Sequence, residues 1–255
     1  MSSLVNALKA ESTKMVSLRS TWVWMILLTG SLYGPLILVG LLGKSGTQVD
    51  WEMLLVGAMI FSLMAVSYAG SSIAAEYSEK MYAHAFLSQD RRSYWLIARS
   101  LLIIVFLAAN AIVGGFMAWV VVATLPKTEF VGGDITQVWA LSMMTLMFSI
   151  IAMWCAVLTR SRVVAVAVPL VWMIVVEQLL SAAAGSDIGR MFWLVGPGTR
   201  TTQIAGVLGG HGNDMEIGWH AMQIQPLWFN VAVVLAWIGV AIATSFLVNA
   251  RRDVR

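Results

Sequence analysis

Six apolar runs, at roughly 21–43, 53–75, 100–125, 138–158, 163–184 and 228–249, alternate with shorter polar stretches along the chain. A run must reach about 20 residues to cross ~30 Å of hydrocarbon at 1.5 Å per residue, and all six do so. The pattern predicts an all-α polytopic membrane protein with six transmembrane helices, in a single domain over residues 1–255. Pro126 closes the third run, because proline cannot continue the helical hydrogen-bond ladder. The chain shows no internal repeat and no low-complexity tract.

Three stretches outside the runs carry a pattern of their own. Residues 4–18, LVNALKAESTKMVSL, put Leu4, Val5, Leu8 and Met15 near one helical face, with Lys9, Glu11 and Lys14 elsewhere. This predicts an amphipathic entry helix within 1–20, lying at the membrane surface, with a frayed polar leader as the alternative. Residues 76–95, between the second and third runs, are rich in charge. There Tyr77, Met81, Ala85 and Phe86 follow i, i+4, i+8, i+9 spacing, while Glu76, Glu79, Lys80 and Arg91 stay accessible. Periodicity alone leaves open whether this is an amphipathic helix or a solvated linker. Residues 185–227 hold GRMFWLVGPGTRTTQIAGVLGG, which is too apolar for a solvated loop and too broken by Gly-Pro-Gly to span. Pro197 suits the first residue of a short helix, so two short helices dipping into the outer leaflet are expected.

Charge sets the orientation. With both termini cytoplasmic, only Lys44, Lys127, Arg190 and Arg200 of the 16 Lys and Arg fall outside, leaving twelve within. Cytoplasmic loops retain basic residues, so this bias predicts that topology. Trp22, Trp24, Trp51, Trp95, Trp139 and Trp228 fall near span ends, where an amphipathic ring sits best. Composition agrees: 59% of residues are hydrophobic, 11% are charged, and mean hydropathy is +0.81. The basic residues form no stripe, so nucleic acid is not an expected partner. Lys9, Lys14 and Arg19 precede the first run in the manner of a signal peptide. That run is too long for an h-region and lacks a small-x-small cleavage site, so it is read as a retained span. The single cysteine, Cys155, lies inside a run and permits no intramolecular disulfide.

Three features together resemble the type-2 ABC transporter permease family. Leu8, Glu11 and Lys14 resemble its "L-x-x-E-x-x-K" entry. Glu76-Tyr77, then Phe86-Leu87, then Arg91 or Arg92 resemble its "E-Y…L…R" cytoplasmic loop. The six-span layout with a long outer segment between spans five and six is similar over essentially the whole chain. The sequence departs from the family pattern at Lys80-Met81, where Gly-Thr is common, and near Gln89, where a proline is common. The resemblance implies a half-transporter in a bacterial plasma membrane, with no cofactor in this chain and no catalysis of its own. It would pair with a second permease subunit, identical or homologous, and bind two ABC ATPase subunits that carry ATP and Mg. The loop after span two would be the coupling helix, with Glu76, Tyr77, Glu79, Lys80, Met81, His84, Phe86, Arg91 and Arg92 at the ATPase contact. The path would form between the two subunits, largely from spans two and five, giving Phe61, Met64, Tyr68, Trp172, Met173, Val176, Glu177 and Leu180 as candidate lining. Phe192, Trp193 and Pro197 would form an outer gate. The cargo would be an apolar or amphipathic compound: a drug, peptide or lipid.

Other chemistry is sparse. Gly43-Lys44-Ser45 resembles the end of a phosphate-binding loop, but Leu38 stands where that pattern needs glycine. His211, Asp214, Glu216 and His220 have metal-binding side chains without the spacing of a regular site, so no metal is assigned. Gly30-Ser31-Leu32-Tyr33-Gly34 has the small-x-x-x-small spacing that permits close helix approach, within a subunit or between subunits. The alternative function is an ion- or proton-coupled secondary carrier, which usually needs several intramembrane ionisable groups; only Glu177 lies well within a span. An intramembrane hydrolase would need paired catalytic groups in the spans, and none is present. Glu177, ~21 Å along span five, is expected to face the protein interior or a wet cavity. It either hydrogen-bonds the outer segment near Gly196 or lines the path.

Overall fold

A computed structural model of the chain describes residues 3–42, 47–79, 92–124, 128–210, 216–217, 220–221 and 225–251. The described helices are α1 (Ser3–Ser17), α2 (Arg19–Leu42), α3 (Trp51–Ser78), α4 (Arg92–Thr124), α5 (Thr136–Thr159), α6 (Arg162–Ala183), α7 (Asp187–Val195), α8 (Pro197–Leu208) and α9 (Leu227–Arg251). Six of them, α2 to α6 and α9, are long and apolar enough to cross a membrane. They match the six predicted runs, and the chain is a multi-pass membrane protein. Most extend a few residues past the apolar run, because polar ends are satisfied locally. The Asp50 carboxylate accepts from the Met53 N–H at 3.1 Å to start α3, and Ser161 Oγ accepts from Val164 to start α6. α4 begins earliest relative to expectation, since Trp95, Leu96 and Ala98 are buried against neighbouring helices.

The bundle is organised around α3 and α5. About 56% of the most apolar stretch is buried in each, against 11% in α9. α3 packs along α5, α2 and α6, while α4 packs against α2 and α1. One continuous core runs through Leu28, Val66, Ile73, Phe148, Ile151 and Met173. Buried Ser62 and Thr145 share a hydroxyl contact of 2.5 Å between α3 and α5. The remaining faces of α2, α6 and α9 expose Ile26, Val171, Leu179 and Leu235, as a helix facing hydrocarbon would.

Close approach is achieved at glycines other than the pair singled out in the sequence. A Cβ at Gly57 would lie 2.6 Å from the Leu32 carbonyl oxygen and 2.8 Å from that of Ser31, and one at Gly114 would meet the Leu32 side chain. Gly30 and Gly34 face open space apart from Tyr33 in their own helix. Thus α2 offers Ser31 and Leu32 as the surface on which α3 and α4 close, with the glycines on the partner helices.

Two short strand pairs depart from the all-α expectation. β1 (Thr47–Asp50) pairs in parallel with β2 (Thr128–Gly132), with a bulge between Val49 and Asp50. These tie the α2–α3 and α4–α5 connections together over a small second core of Leu36, Val49, Leu54, Ala118 and Val122. A parallel pair joins segments far apart in sequence, so local alternation does not announce it. β3 (Glu216–Ile217) and β4 (His220–Ala221) form a minimal antiparallel pair. Gly57→Val should lower thermal stability in detergent by ~1–3 kcal/mol through overpacking, with Gly34→Val nearly neutral. Equal effects of the two would show that the α2–α3 approach is not limiting.

Candidate functional site

Two polar clusters stand at opposite ends of the apolar bundle. The first lies where α3 ends, α4 begins and α1 crosses both. α1 turns Ala7, Glu11 and Met15 toward the bundle and leaves Val5 and Val16 exposed. This corrects the expected amphipathic face, which kept Glu11 with the polar residues and Val5 with the apolar ones. Glu11 goes inward because Arg99 waits there, 3.5 Å from its carboxylate. Lys14 Nζ lies 2.5 Å from both oxygens of Glu76, and Arg99 donates to Ser72 Oγ at 2.7 Å and reaches Glu76 at 3.8 Å. Two carboxylates and two cations therefore balance in a nearly dry cluster joining α1, α3 and α4. Burial pushes the Glu11 carboxyl above its ordinary value of 4.5, with Lys14 and Arg99 opposing that shift and Glu76 adding to it.

Glu76 was expected to be accessible; it is 5% exposed. Its position on the buried side of α3 is sustained by Lys14 and Arg99, which a reading of residues 76–95 alone does not include. Tyr77 is also buried, edge-on to Trp95 at 5.6 Å, with the Arg160 guanidinium 5.3 Å from its ring. Glu79 is exposed and pairs with Arg162 Nη2 at 2.5 Å. Of the other coupling candidates, Lys80, Met81, His84, Phe86 and Arg91 lie outside the described residues, and Arg92 is described only as the first residue of α4. The two segments that carry the family resemblance, Leu8 to Lys14 and Glu76-Tyr77, thus touch through Lys14 and Glu76, 62 positions apart. The sequence did not mark Glu11, Lys14 and Arg99 as partners. The available signal was their nearness to apolar runs, where a charge needs a counter-charge.

The second cluster is built from α6, α8 and α9. In α6 a π-helical turn over Trp172–Val176 inserts an extra residue, which rotates the remainder of the helix by ~100° about its axis. Glu177 comes next and points at the N-terminus of α8. Its Oε1 accepts from the Gly198 N–H at 2.9 Å, and its Oε2 accepts from the Thr199 N–H at 3.1 Å and Thr199 Oγ1 at 2.8 Å. This satisfies donors left free by the first turn of α8 and places negative charge at the positive end of its dipole. Pro197 is the first residue of α8, as expected, and glycine at 198 leaves room for the cap: a Cβ there would lie 2.8 Å from the Glu177 carboxyl carbon and push that side chain aside.

Two residues beyond Gly198, Arg200 is fully buried. It donates to Gln203 Oε1 and Asn230 Oδ1, both at 2.9 Å, and its guanidinium stacks 4.4 Å from the Trp193 ring. Loss of water pushes its pKa down to about 10, with Glu177 opposing the shift. The Trp237 indole N–H donates to the Val195 carbonyl at 2.8 Å, fastening α7 to α9. Arg200, Gln203 and Asn230 carry this cluster and were not among the candidates; nothing in their spacing marks them.

The candidate path residues divide into separate environments within one chain. Tyr68 packs on Trp24 and Phe106 at 5.4 and 5.0 Å, and Phe61 lines a 120 Å³ cavity shared by α2, α3, α4 and α5. Met64 is half-buried beside them. On α6, Met173 and Glu177 are buried, Val176 and Leu180 are half-buried, and Trp172 stands edge-on to Trp237 of α9 at 5.5 Å. Neither that cavity nor the cleft between α4, α5 and α9 is lined by both sets. At the candidate gate Trp193 and Pro197 are buried, whereas Phe192 is 59% exposed on an α7 face that also shows Ile188 and Met191. Among the described residues no group of three metal-binding side chains converges. Comparison with protein-family models, curated proteins and solved structures gave no match.

Two substitutions test the clusters. Glu177→Leu strands the α8 amides and should cost ~1–3 kcal/mol, with Glu177→Gln milder because one oxygen still accepts. Equal thermal stability of all three proteins would show that the cap contributes nothing. Lys14→Ala should cost roughly 2 kcal/mol, discounted for the 22% exposure of Lys14. Adding Glu76→Gln should restore more than half of that, since a neutral amide needs no counter-charge. A double variant no more stable than the single one would refute the pairing.

Proposed function

We propose that the chain is the membrane subunit of an ATP-driven exporter for an apolar or amphipathic compound. It would act with a second permease copy and two separate ATPase subunits in a bacterial inner membrane. The observation that carries this reading is the charge-balanced cluster of Glu11, Lys14, Glu76 and Arg99. It fixes the ends of α3 and α4, the two helices that flank residues 80–91, and clamps α1 across them. A force applied to the intervening segment would be delivered to three helices as a unit, which is what coupling to a soluble motor demands. The motif likeness of both segments to type-2 ABC permeases supports the same assignment. The positive-inside bias supports a cytoplasmic position for this end, with α7 and α8 at the outer side. There the exposed apolar face of α7 suits insertion into the outer leaflet.

The secondary-carrier alternative is less well served. Ion coupling needs ionisable groups free to exchange a cation or proton within the spans. Among the described residues the one carboxylate well inside a span, Glu177, has both oxygens engaged by α8. That engagement also favours the cap over a direct substrate contact for this residue.

The test is co-purification from native membranes. Charge reversal at Glu79 and Lys80 together with Phe86→Ala should abolish copurifying ATPase activity and export while membrane insertion stays normal. Unchanged ATPase association and export in the triple variant would overturn the coupling assignment.

A further inference from the structure

The side chains bonded to the buried guanidinium of Arg200 are all neutral. Nη1 donates to Gln203 Oε1 and Asn230 Oδ1, and Nη2 reaches only the Trp193 carbonyl, at 3.5 Å. Glu177 is close enough to favour the charged form of Arg200, but its oxygens are committed to the Gly198 and Thr199 N–H groups and the Thr199 hydroxyl. A buried cation is ordinarily bonded to an anion. This one is not, among the described residues.

The hydrogen-bond balance leans the same way. Among the described residues of α7, α8 and α9, the buried side-chain polar atoms without a partner are Trp193 Nε1, Arg200 Nε and Gln203 Nε2. All three are donors. They belong to side chains in mutual contact through Arg200, which stacks on the Trp193 ring and bonds Gln203, and none of the three residues is more than 2% exposed. The acceptors nearby are occupied, since Gln203 Oε1 also takes the Gln225 N–H at 3.2 Å. Each buried donor left unbonded costs ~1–3 kcal/mol, so three in one cluster call for an acceptor from outside the chain.

We propose that Arg200, Gln203 and Trp193 bind a small monovalent anion, a halide such as chloride, at the junction of α7, α8 and α9. An anion accepts from all three donors and brings the charge that Arg200 lacks. Water is the weaker fit, because its own hydrogens would need acceptors in a cluster whose orphaned atoms are all donors. The three side chains line neither the 120 Å³ cavity nor the cleft between α4, α5 and α9, so the ligand is of atomic size and not a lipid headgroup. Bound there, the ion fastens α8 to α7 and α9. The proposal rests on the contacts of Arg200 and not on the exporter reading, so each can fail without the other.

The full chain is purified in detergent and its thermal unfolding followed in sodium gluconate, with chloride or bromide replacing gluconate at constant ionic strength. The midpoint should rise with halide, and above half-saturation each tenfold increase should add about 1.4 kcal/mol. Gln203→Glu puts a carboxylate beside Nη1 and supplies the missing charge from within the chain. That variant should be as stable in gluconate as the unsubstituted protein is in chloride, with the halide dependence gone. Asn230→Asp makes the same test from α9 if Gln203→Glu does not fold. Trp193→Phe removes one donor and should raise the half-saturating halide concentration about fivefold. In crystals grown with bromide, an anomalous peak should lie in hydrogen-bond contact with the three nitrogens, which decides the matter without any variant. Equal midpoints in gluconate and halide, with no bromide peak, would show that water serves these donors and overturn the proposal. A halide dependence that survives unchanged in Gln203→Glu and Asn230→Asp would put the ion elsewhere and overturn it as well.

Discussion

A carboxylate taken into an apolar helix bundle must be met by donors or cations already held in place, or it will not stay ionised there. This chain meets that demand at both ends, and much of its architecture is a consequence. At one end Glu76 can be buried because α1 supplies Lys14 and α4 supplies Arg99. At the other, Glu177 can be buried because α8 presents its free amides. Each solution recruits an element that does not span: α1 lies across the helix ends, and α8 packs against α5 and α9. The short helices are therefore counterparts of buried charge as much as covers for the bundle.

The two solutions differ in character. The cluster around Arg99 is made from long, opposed charges, and part of it remains near solvent through Lys14. It joins three helices and can move as a block. The Glu177 cap uses backbone amides fixed by α8 itself, with Arg200 held behind it by Gln203, Asn230 and the Trp193 ring. That end is locked by short, directional contacts with little room for rearrangement. A transporter driven from one side would place its movable joint at the driven end and its rigid closure at the other. The distribution of contacts accords with the proposed polarity.

Between the ends, backbone proximity governs packing. Gly57, Gly70 and Gly114 remove the Cβ atoms that would hold α3 and α4 away from α2 and α6. Within hydrocarbon there is no water to squeeze out, so close van der Waals contact has to supply what burial supplies in a soluble core. Where contacts are loose, as between α4, α5 and α9, an apolar cleft is left.

The sequence by itself determined the six spans, because a membrane-crossing helix demands ~20 predominantly apolar residues in a row. It also placed the helix start at Pro197 and the presence of two short helices before the last span. Local chemistry sufficed for those features: hydropathy along the chain and the fixed φ of proline. Tertiary structure alone decided where charge went. Glu76 looked accessible until Lys14 and Arg99 were beside it, and Arg200, Gln203 and Asn230 carried no local mark at all. The same holds for the glycines. Gly30 and Gly34 have the spacing, but Gly57 and Gly114 have the neighbours, and the β1–β2 pair joins loops about 80 residues apart. Hydropathy is a property of one segment, whereas a counter-charge, a close contact or a parallel pair belongs to two segments. Their meeting is set by how the helices pack.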